Sequence, residues 1–298
     1  MRDVRVALAQ IAPVLGDTAV NLDRHREVCR RARDEGAAVV VFPELSLHGY
    51  VLQDQVSEVA IREGDPTWRR LEALSADVDV VVGFVEESPG HLFHNAAGYF
   101  ARGRLVHLHR KLYLPNYGMF EESRYMASGR TLRAFDAPHG RSGILICEDL
   151  WHPTSAWLLS LDGAEILFTL SCSPSRGTRP GLGVTSVGVW ERLLRVSAQF
   201  QTAFLVYVNR VGCEDGLLFA GGSMVVDPFG RIVGSLPPSD EDLLVVPLEA
   251  EVLRRARTAY PLLRDADPDL ALRELERLRR LRYDLPGPVE EDPDEGTP

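Results

Sequence analysis

Lysine is almost absent from this chain. Of its 33 basic residues, only Lys111 is a lysine and the other 32 are arginines. A composition that places arginine at nearly every positive position would be expected to do so at solvated positions too, so a lone lysine suggests a task that arginine cannot perform. An ammonium is compact and loses its proton when desolvated, whereas a guanidinium is broad and stays charged. Chance survival of one lysine codon is the alternative, and the neighbouring residues must decide.

The sequence also lacks long apolar runs. The longest, such as residues 36–42, are far too short to cross a bilayer, and residues 1–10 lack the apolar core of a secretory signal. We therefore expect a cytoplasmic protein with no membrane partner. The net charge of −10, with arginines scattered among acidic residues, would repel a phosphate backbone, so we expect no nucleic-acid partner.

Paired cysteines and metal-binding patterns are missing as well. His107 and His109 would face the same side of a strand but lack a convincing third ligand. No Gly-rich phosphate loop occurs. The four cysteines form no C-x-x-C pair, which argues against a disulfide framework and a structural zinc site. They are Cys29, Cys147, Cys172 and Cys213. We expect no metal and no cofactor.

What is present is an ordinary globular composition of 298 residues, with 45% hydrophobic and 26% charged residues. Its apolar periodicity predicts alternating helices and strands, and hence an α/β protein with largely buried sheets. We predict strands at residues 4–9, 37–42, 78–85, 143–147, 166–170 and 203–211, hairpins at 96–109 and 223–233, and helices at 18–35, 66–76, 153–161, 190–201 and 267–283.

The distribution of these elements predicts two domains. Residues 1–250 contain no linker and form the first. Residues 251–298 form a helical extension that ends in an acidic tail at 286–298, whose composition predicts disorder.

An acidic, a basic and a thiol side chain stand where predicted strands end. Glu44 follows the run AAVVVF, Lys111 follows the 96–109 hairpin, and Cys147 ends the run GILIC. Active sites of α/β folds gather at such positions. A cysteine can act as a nucleophile whose thiolate is favoured by a following helix and a nearby cation, and a carboxylate there can act as its base. Structural roles remain the alternative: a small core hydrophobe for Cys147, and a paired or exposed acid for Glu44.

A second acid follows the lone lysine. Glu121 and Glu122 come soon after Lys111, and Pro115 and Gly118 bend the loop between them. Either glutamate can return towards the lysine, and two carboxylates around one ammonium would keep it charged and oriented. A solvated acidic pair is the alternative.

At this point the segments resemble a known family. FPELSLHGY around Glu44, HRKLYLPNYGMFEESRYM around Lys111 and ILICEDLWHP around Cys147 resemble, in order, the three signature regions of the nitrilase, or carbon-nitrogen hydrolase, superfamily. The resemblance continues through LSCSPSRG, VYVNRVG and FAGGSMVVDPFG, and so covers residues 4–248. LSLHGYVLQD, LPNYGMFEE and CEDLW are most similar to the glutaminase domain of glutamine-dependent NAD synthetase.

This resemblance implies an α-β-β-α four-layer sandwich with a catalytic triad of Glu44, Lys111 and Cys147, supported by Glu122. It implies hydrolysis of the C–N bond of a small amide, such as glutamine, another ω-amide or an N-carbamoyl compound, through a cysteine thioester that releases ammonia. It also implies a homo-oligomer. The substrate-binding residues that it implies are Tyr117, Glu148, Ser173 and Arg176.

Some features depart from the glutaminase pattern. LSCSPSRG replaces an asparagine-containing segment, and Ala220 stands where an acidic residue is usual. No synthetase region follows residue 250, so we expect ammonia to serve a separate synthetase or to be discarded. A catalytically silent member that binds a ligand or partner protein is the alternative function, although it would be expected to have a degraded triad.

Overall fold

The computed structural model describes residues 1–175 and 185–283. The chain forms two compact units, the first from Met1 to Pro261 and the second beginning at Leu262. The domain boundary predicted at residue 250 stays a prediction, and the acidic tail predicted at 286–298 lies outside the described residues. No helix within the described ranges combines the length and the apolar character needed to cross a membrane.

The first unit is built on β-strands, of which the described residues contain fourteen. They are β1 Val4–Gln10, β2 Val39–Val41, β3 Asp79–Ser88, β4 Leu92–Ala101, β5 Arg104–Arg110, β6 Phe135–Ala137, β7 Gly140–Ile146, β8 Ile166–Ser171, β9 Phe204–Asn209, β10 Val211–Glu214, β11 Leu217–Ala220, β12 Met224–Val226, β13 Ile232–Ser235 and β14 Asp242–Leu248.

Helices alternate with these strands along the described residues. The last of these helices belongs to the second unit. They are α1 Thr18–Asp34, α2 Val56–Val59, α3 Pro66–Leu74, α4 Glu122–Tyr125, α5 Pro153–Leu161, α6 Thr185–Gln201, α7 Ala250–Ala259 and α8 Pro268–Tyr283. Short 3₁₀ turns cover Gln53–Gln55 and Cys147–Trp151.

The strands form two six-stranded sheets and one small hairpin of β10 and β11. The first sheet has the order β14-β1-β2-β3-β4-β5, and the second has the order β13-β12-β9-β8-β7-β6. Within the sheets, β1, β2 and β3 are parallel, as are β7, β8 and β9. Since β4 is antiparallel to both β3 and β5, the carboxyl ends of β2 and β5 point the same way.

Alternation of side chains along the strands produces four layers. In β1, Val6 and Leu8 belong to the core shared by the two sheets, whereas Ala7 and Ala9 face α1 and α3 on the other side. The outer face of the second sheet packs against α5 and α6 in the same way. The α-β-β-α sandwich implied by the resemblance is therefore confirmed.

The predicted strands and helices recur with shifted ends, but strands β6, β11 and β14 and helices α2, α4 and α7 have no counterpart among the predictions, and β14 is the longest of these strands. β14 pairs antiparallel with β1 from Val4 opposite Leu248 to Gln10 opposite Asp242. Pro247 interrupts its apolar run DLLVVPL, and proline weakens a strand pattern because it cannot donate a ladder hydrogen bond. It is tolerated here because β14 is the edge of its sheet.

Candidate active site

Three chain segments meet where the two sheets face each other. Glu44 follows β2, Lys111 follows β5 and Cys147 follows β7, so each stands just beyond the carboxyl end of its strand. Backbone bonds hold the lysine in place, since Lys111 N–H donates to the carbonyl of Asn95 in β4 and Gly129 N–H donates to the carbonyl of Lys111. The positions predicted from strand ends are thus brought to one region.

The Lys111 ammonium lies between two carboxylates. Its Nζ is 2.7 Å from Oε1 of Glu44 and 2.8 Å from Oε1 of Glu122. Lys111 is 1% exposed. Burial alone would lower the pKa of this ammonium, but the charges of Glu122 and Glu44 outweigh burial and raise the pKa well above its ordinary value. The lysine is therefore a fixed cation.

Glu44 is buried, and both of its carboxylate oxygens accept hydrogen bonds. Besides the lysine, its Oε1 accepts a hydrogen bond from Nδ2 of Asn95 at 2.7 Å, and its Oε2 accepts one from the N–H of Cys172 at 2.7 Å. Donors from both sheets therefore set the plane of the carboxylate. Cys172 is a core residue whose thiol contacts the Glu44 carbonyl at 2.9 Å.

Glu122 is the second acid at the lysine. Its Oε1 also accepts a hydrogen bond from the hydroxyl of Tyr50 at 2.7 Å, while its Oε2 is buried without a hydrogen-bond partner among the described residues. Burial raises the pKa of Glu122 to about 7, against the opposing effect of Lys111. Glu121, which the sequence left as an equal choice, is exposed and lies 3.7 Å from Arg124 instead.

Cys147 has a left-handed backbone conformation, with φ of +45°. Such a φ is uncommon for a residue with a side chain and costs about 1–3 kcal/mol, so surrounding structure must hold it. The Ser171 hydroxyl lies 3.5 Å from its sulfur. Burial, followed by the charge of Glu44, raises the pKa of the Cys147 thiol, although Lys111 opposes the change. Lys111 favours the thiolate, as expected of a nearby cation, but the net direction for the thiol is upward, so this thiol needs a base.

Asp149 is a site residue that the sequence analysis did not single out. Its Oδ2 accepts hydrogen bonds from His109 Nε2 at 2.8 Å and from Ile146 N–H at 3.0 Å. Its Oδ1 accepts from the N–H groups of Leu112 and Tyr113 at 2.9 and 3.1 Å. One buried carboxylate thus ties the segment that carries the lysine to the turn that carries the cysteine. The sequence feature that could have indicated this residue is an aspartate in the turn that directly follows a core strand.

The two histidines considered as metal ligands have other contacts. His109 binds Asp149, and His107 stacks on Phe135 with ring centroids 4.4 Å apart. Within residues 1–175 and 185–283, no group of three or more His, Cys, Asp or Glu side chains is arranged to hold a metal ion.

A cavity of about 360 Å³ opens onto Cys147. Its walls are mostly aromatic and apolar, with a few polar groups. The Tyr117 hydroxyl donates to the Glu148 carboxylate at 3.0 Å, and the Trp190 indole N–H donates to the Ser173 hydroxyl at 2.8 Å. The lining residues are Tyr117, Phe120, Cys147, Glu148, Trp151, Ser173, Pro174, Ser186, Val189 and Trp190.

Three of the four predicted substrate-binding residues line this cavity, namely Tyr117, Glu148 and Ser173. The fourth, Arg176, lies outside the described residues. Sequence reasoning missed the aromatic wall formed by Trp151 and Trp190, whose rings meet edge to face with centroids 5.5 Å apart. These two tryptophans lie on different elements, so no local pattern could join them.

Comparison with known proteins shows the family of the chain. Residues 5–258 match the model of the carbon-nitrogen hydrolase family. The glutamine-dependent NAD(+) synthetase of Thermotoga maritima is 33% identical over 266 residues, which are 88% of this chain and 45% of that protein. The chain thus spans about half the length of such relatives. The N-carbamoylputrescine amidase of Solanum lycopersicum is 29% identical over 284 residues, which are 90% of this chain and 94% of that protein.

Solved structures give the same result. An amidase of the nitrilase superfamily from Nesterenkonia AN1 superposes with a TM-score of 0.76 at 25% identity, over 91% of this chain and 96% of its own. The glutamine-dependent NAD+ synthetase of Acinetobacter baumannii superposes with a TM-score of 0.75 at 28% identity, over 85% of this chain and 47% of its own. The chain belongs to the carbon-nitrogen hydrolase family.

Proposed function

We propose that this protein hydrolyses the C–N bond of a small amide through a thioester on Cys147. The observation that carries the proposal is the buried Glu44–Lys111–Glu122 cluster, which interacts electrostatically with a thiol that opens onto a cavity. A nucleophile, a base and a fixed cation are the groups that acyl transfer needs. A silent ligand-binding member would have no use for a buried lysine between two acids, so enzyme activity is favoured.

In the first step, Glu44 takes the proton of the Cys147 thiol and the thiolate attacks the amide carbon. The C=O bond becomes an oxyanion, which the Lys111 ammonium and the backbone N–H after Cys147 stabilise. The raised thiol pKa supports a base that acts during attack rather than a resting thiolate. The tetrahedral intermediate then collapses, the C–N bond breaks, and the proton held by Glu44 leaves with ammonia.

The second step removes the acyl group. Glu44, again a carboxylate, takes a proton from water while the water oxygen attacks the thioester carbon. The C–S bond breaks, the carboxylic acid leaves, and Glu44 returns its proton to the sulfur, which restores the thiol and the Glu44 carboxylate. Lys111 stabilises the second oxyanion as it did the first. A lysine suits this position because a guanidinium would project into the space that the attacked carbon needs.

The cavity supports an amide that also carries a free amine. The Glu148 carboxylate lies beside Cys147 in sequence and lines an otherwise mostly apolar cavity with aromatic walls. A carboxylate with aromatic rings attracts an ammonium through charge and cation–π contacts. Glutamine and N-carbamoylputrescine, the compounds in the names of two relatives, share this chemistry, since each has an amide or carbamoyl end and an amine.

Ammonia release from a substrate panel tests the proposal. The panel contains glutamine, asparagine, N-carbamoylputrescine, simple amides lacking an amine, and nitriles. We expect release from amine-bearing amides, its loss in Cys147→Ala, and its retention in Cys213→Ala, which removes an exposed thiol away from the cavity. A mass increase on Cys147 that matches the acyl group would identify the thioester. Activity that survives Cys147→Ala would overturn the mechanism, and activity on nitriles alone would overturn the substrate class.

A further inference from the structure

A buried ion pair lies close behind the candidate active site. Nη1 of Arg210 is 2.5 Å from Oε2 of Glu214, and both residues are almost fully buried. Neither lines the cavity at Cys147. Removing two charges from water costs free energy that their attraction offsets only partly, so a buried pair is weak evidence of a role in stability alone. Its other contacts point towards the catalytic cluster.

Glu214 holds the backbone at Tyr50. Its Oε1 accepts hydrogen bonds from the N–H groups of Tyr50 and Val51, each at 2.7 Å. Gly49 makes room for this contact, because a Cβ on Gly49 would lie 2.8 Å from Glu214 Oε2 and its φ of +84° disfavours any side chain. Both oxygens of the carboxylate are therefore engaged, one by two amides and the other by the guanidinium.

The ring of Tyr50 is supported by the same pair through Phe219. The Arg210 guanidinium lies over the Phe219 ring, 4.3 Å from its centroid, and the Tyr50 ring meets Phe219 edge to face at 6.0 Å. Tyr50 is thus fixed at its backbone by Glu214 and at its ring by Phe219. The position of its hydroxyl follows from these two supports.

That hydroxyl ends on the acid that binds the lysine. Tyr50 donates to Oε1 of Glu122 at 2.7 Å, and the same oxygen accepts from Lys111 Nζ at 2.8 Å. Since Oε2 of Glu122 has no hydrogen-bond partner among the described residues, Tyr50 and Lys111 orient this carboxylate. A shift of Tyr50 would move Glu122 and, through it, the ammonium.

We propose that Glu214 is a positioning residue, held by Arg210, that sets the Tyr50 hydroxyl on Glu122 and thereby fixes Lys111. This inference rests on the proposed function for the role of Lys111 in catalysis. It assigns Glu214 and Tyr50 no contact with substrate.

A double-mutant cycle tests the proposal. Tyr50→Phe removes one hydrogen bond to a charged group, so we expect kcat to fall about 10- to 100-fold. Glu214→Gln presents one acceptor oxygen, which cannot serve both the amides and Arg210, so we expect a fall in the same direction. KM should change little in either, because neither residue lines the cavity. If Glu214 acts through the Tyr50 hydroxyl, the double variant should be no slower than Tyr50→Phe.

Tyr99→Phe provides a matched control. Tyr99 is buried, and its hydroxyl donates to the Asp79 carboxylate at 2.7 Å, the same kind of bond at the same length as that between Tyr50 and Glu122. Its ring packs against those of Phe135 and Phe168 in the core shared by the two sheets. We expect a similar loss of thermal stability and an unchanged kcat.

Alkylation of Cys147 by iodoacetamide gives a readout that needs no substrate. With Lys111 displaced, the thiolate is less stabilised, so alkylation at pH 7 should slow in Tyr50→Phe and Glu214→Gln but not in Tyr99→Phe. The proposal would be overturned if the two kcat effects multiplied in the double variant. It would also be overturned if Cys147 were alkylated at the wild-type rate in both single variants. Absence of amide hydrolysis in the wild-type protein would instead overturn the proposed function, and the alkylation rates would still report the coupling.

Discussion

Nζ of Lys111 lies 2.7 Å from Oε1 of Glu44, in a chain that has no other lysine. The ammonium fills the narrow space between that oxygen and the Glu122 oxygen at 2.8 Å. A guanidinium is planar and larger, and its charge is spread over three nitrogens. The contact explains why an arginine-rich chain keeps a lysine here.

Lys111→Arg should therefore abolish most activity although it conserves the charge. We expect kcat/KM to fall about 1000-fold or more, because the cation that meets the oxyanion is misplaced and the carbonyl is crowded. Arg110→Lys is the matched control, since Arg110 pairs with Glu86 through two contacts of 2.6 Å and lies next to the lysine in sequence. Steady-state kinetics on the best substrate measure both. A Lys111→Arg enzyme within tenfold of wild type would contradict this role.

Much of the site could be predicted because its parts are local. Glu44 and Cys147 each follow a strand that is visible as a run of aliphatic residues, and Lys111 follows the second strand of a predicted hairpin, RLVHLHR, in which aliphatic and basic residues are mixed. The inner and outer faces of β1 could likewise be read from its alternation. β2 and β5 run the same way in one sheet, so their carboxyl ends point to the same edge, whereas β7 belongs to the second sheet and meets them because the two sheets pack face to face.

The rest depends on the loops that connect those strands. Glu121 and Glu122 are adjacent, and only the bend after Pro115, whose carbonyl accepts the Glu122 N–H at 3.2 Å, determines which one meets the lysine. Asp149 joins two segments about 40 residues apart, and no periodicity reports a contact across such a distance. The missed strand β14 was hidden by Pro247, which an edge position tolerates.

Asp149→Asn should reduce stability and activity together. An asparagine replaces one acceptor oxygen by an NH₂ group, which would face two donors, either the pair at Leu112 and Tyr113 or the pair at His109 and Ile146. We expect the free energy of unfolding to fall by about 2–4 kcal/mol, as for a buried charged acceptor that loses its partners. Urea unfolding measures this.

Asp136→Asn is the control for that change, because Asp136 is exposed and pairs with Arg141 on the surface. Its effect should stay below about 1 kcal/mol. If Asp149→Asn proved equally mild, Asp149 would not be the link between the lysine and cysteine segments.

Activity should rise with pH through about 7. The pKa of Glu122 is raised to about 7, so below that pH the native protein holds a proton on this acid and the carboxylate that orients Lys111 loses its charge. Because Glu122, Glu44 and Lys111 interact, the inflection belongs to the cluster. In Glu122→Gln, kcat/KM should be lower and lack this rise, whereas Glu121→Gln, which alters the exposed neighbour, should keep it. A pH–rate profile of the three proteins checks this, and an unchanged inflection in Glu122→Gln would assign it elsewhere.

His25, which lies in α1 on the outer side of the first sheet, should make the stability of the fold depend on pH. Its ring is buried, with Nδ1 2.6 Å from the Asn21 carbonyl, Nε2 2.9 Å from the Ser46 hydroxyl and the ring centroid 4.0 Å from that of Phe42. Burial lowers the pKa of His25 from 6.5 to about 4. The unfolded chain therefore binds a proton on this ring as the pH falls through 6.5, whereas the folded chain binds it only near pH 4. Stability is therefore retained above pH 6.5 and is lost as the pH falls below that value. Linkage sets this loss at about 3 kcal/mol between those limits.

His25→Gln keeps hydrogen-bonding groups but cannot titrate, so urea unfolding should show a wild-type advantage at pH 7.5 that shrinks or reverses at pH 4.5. A difference between the two proteins that stayed constant across this range would mean that folding does not shift the pKa of His25.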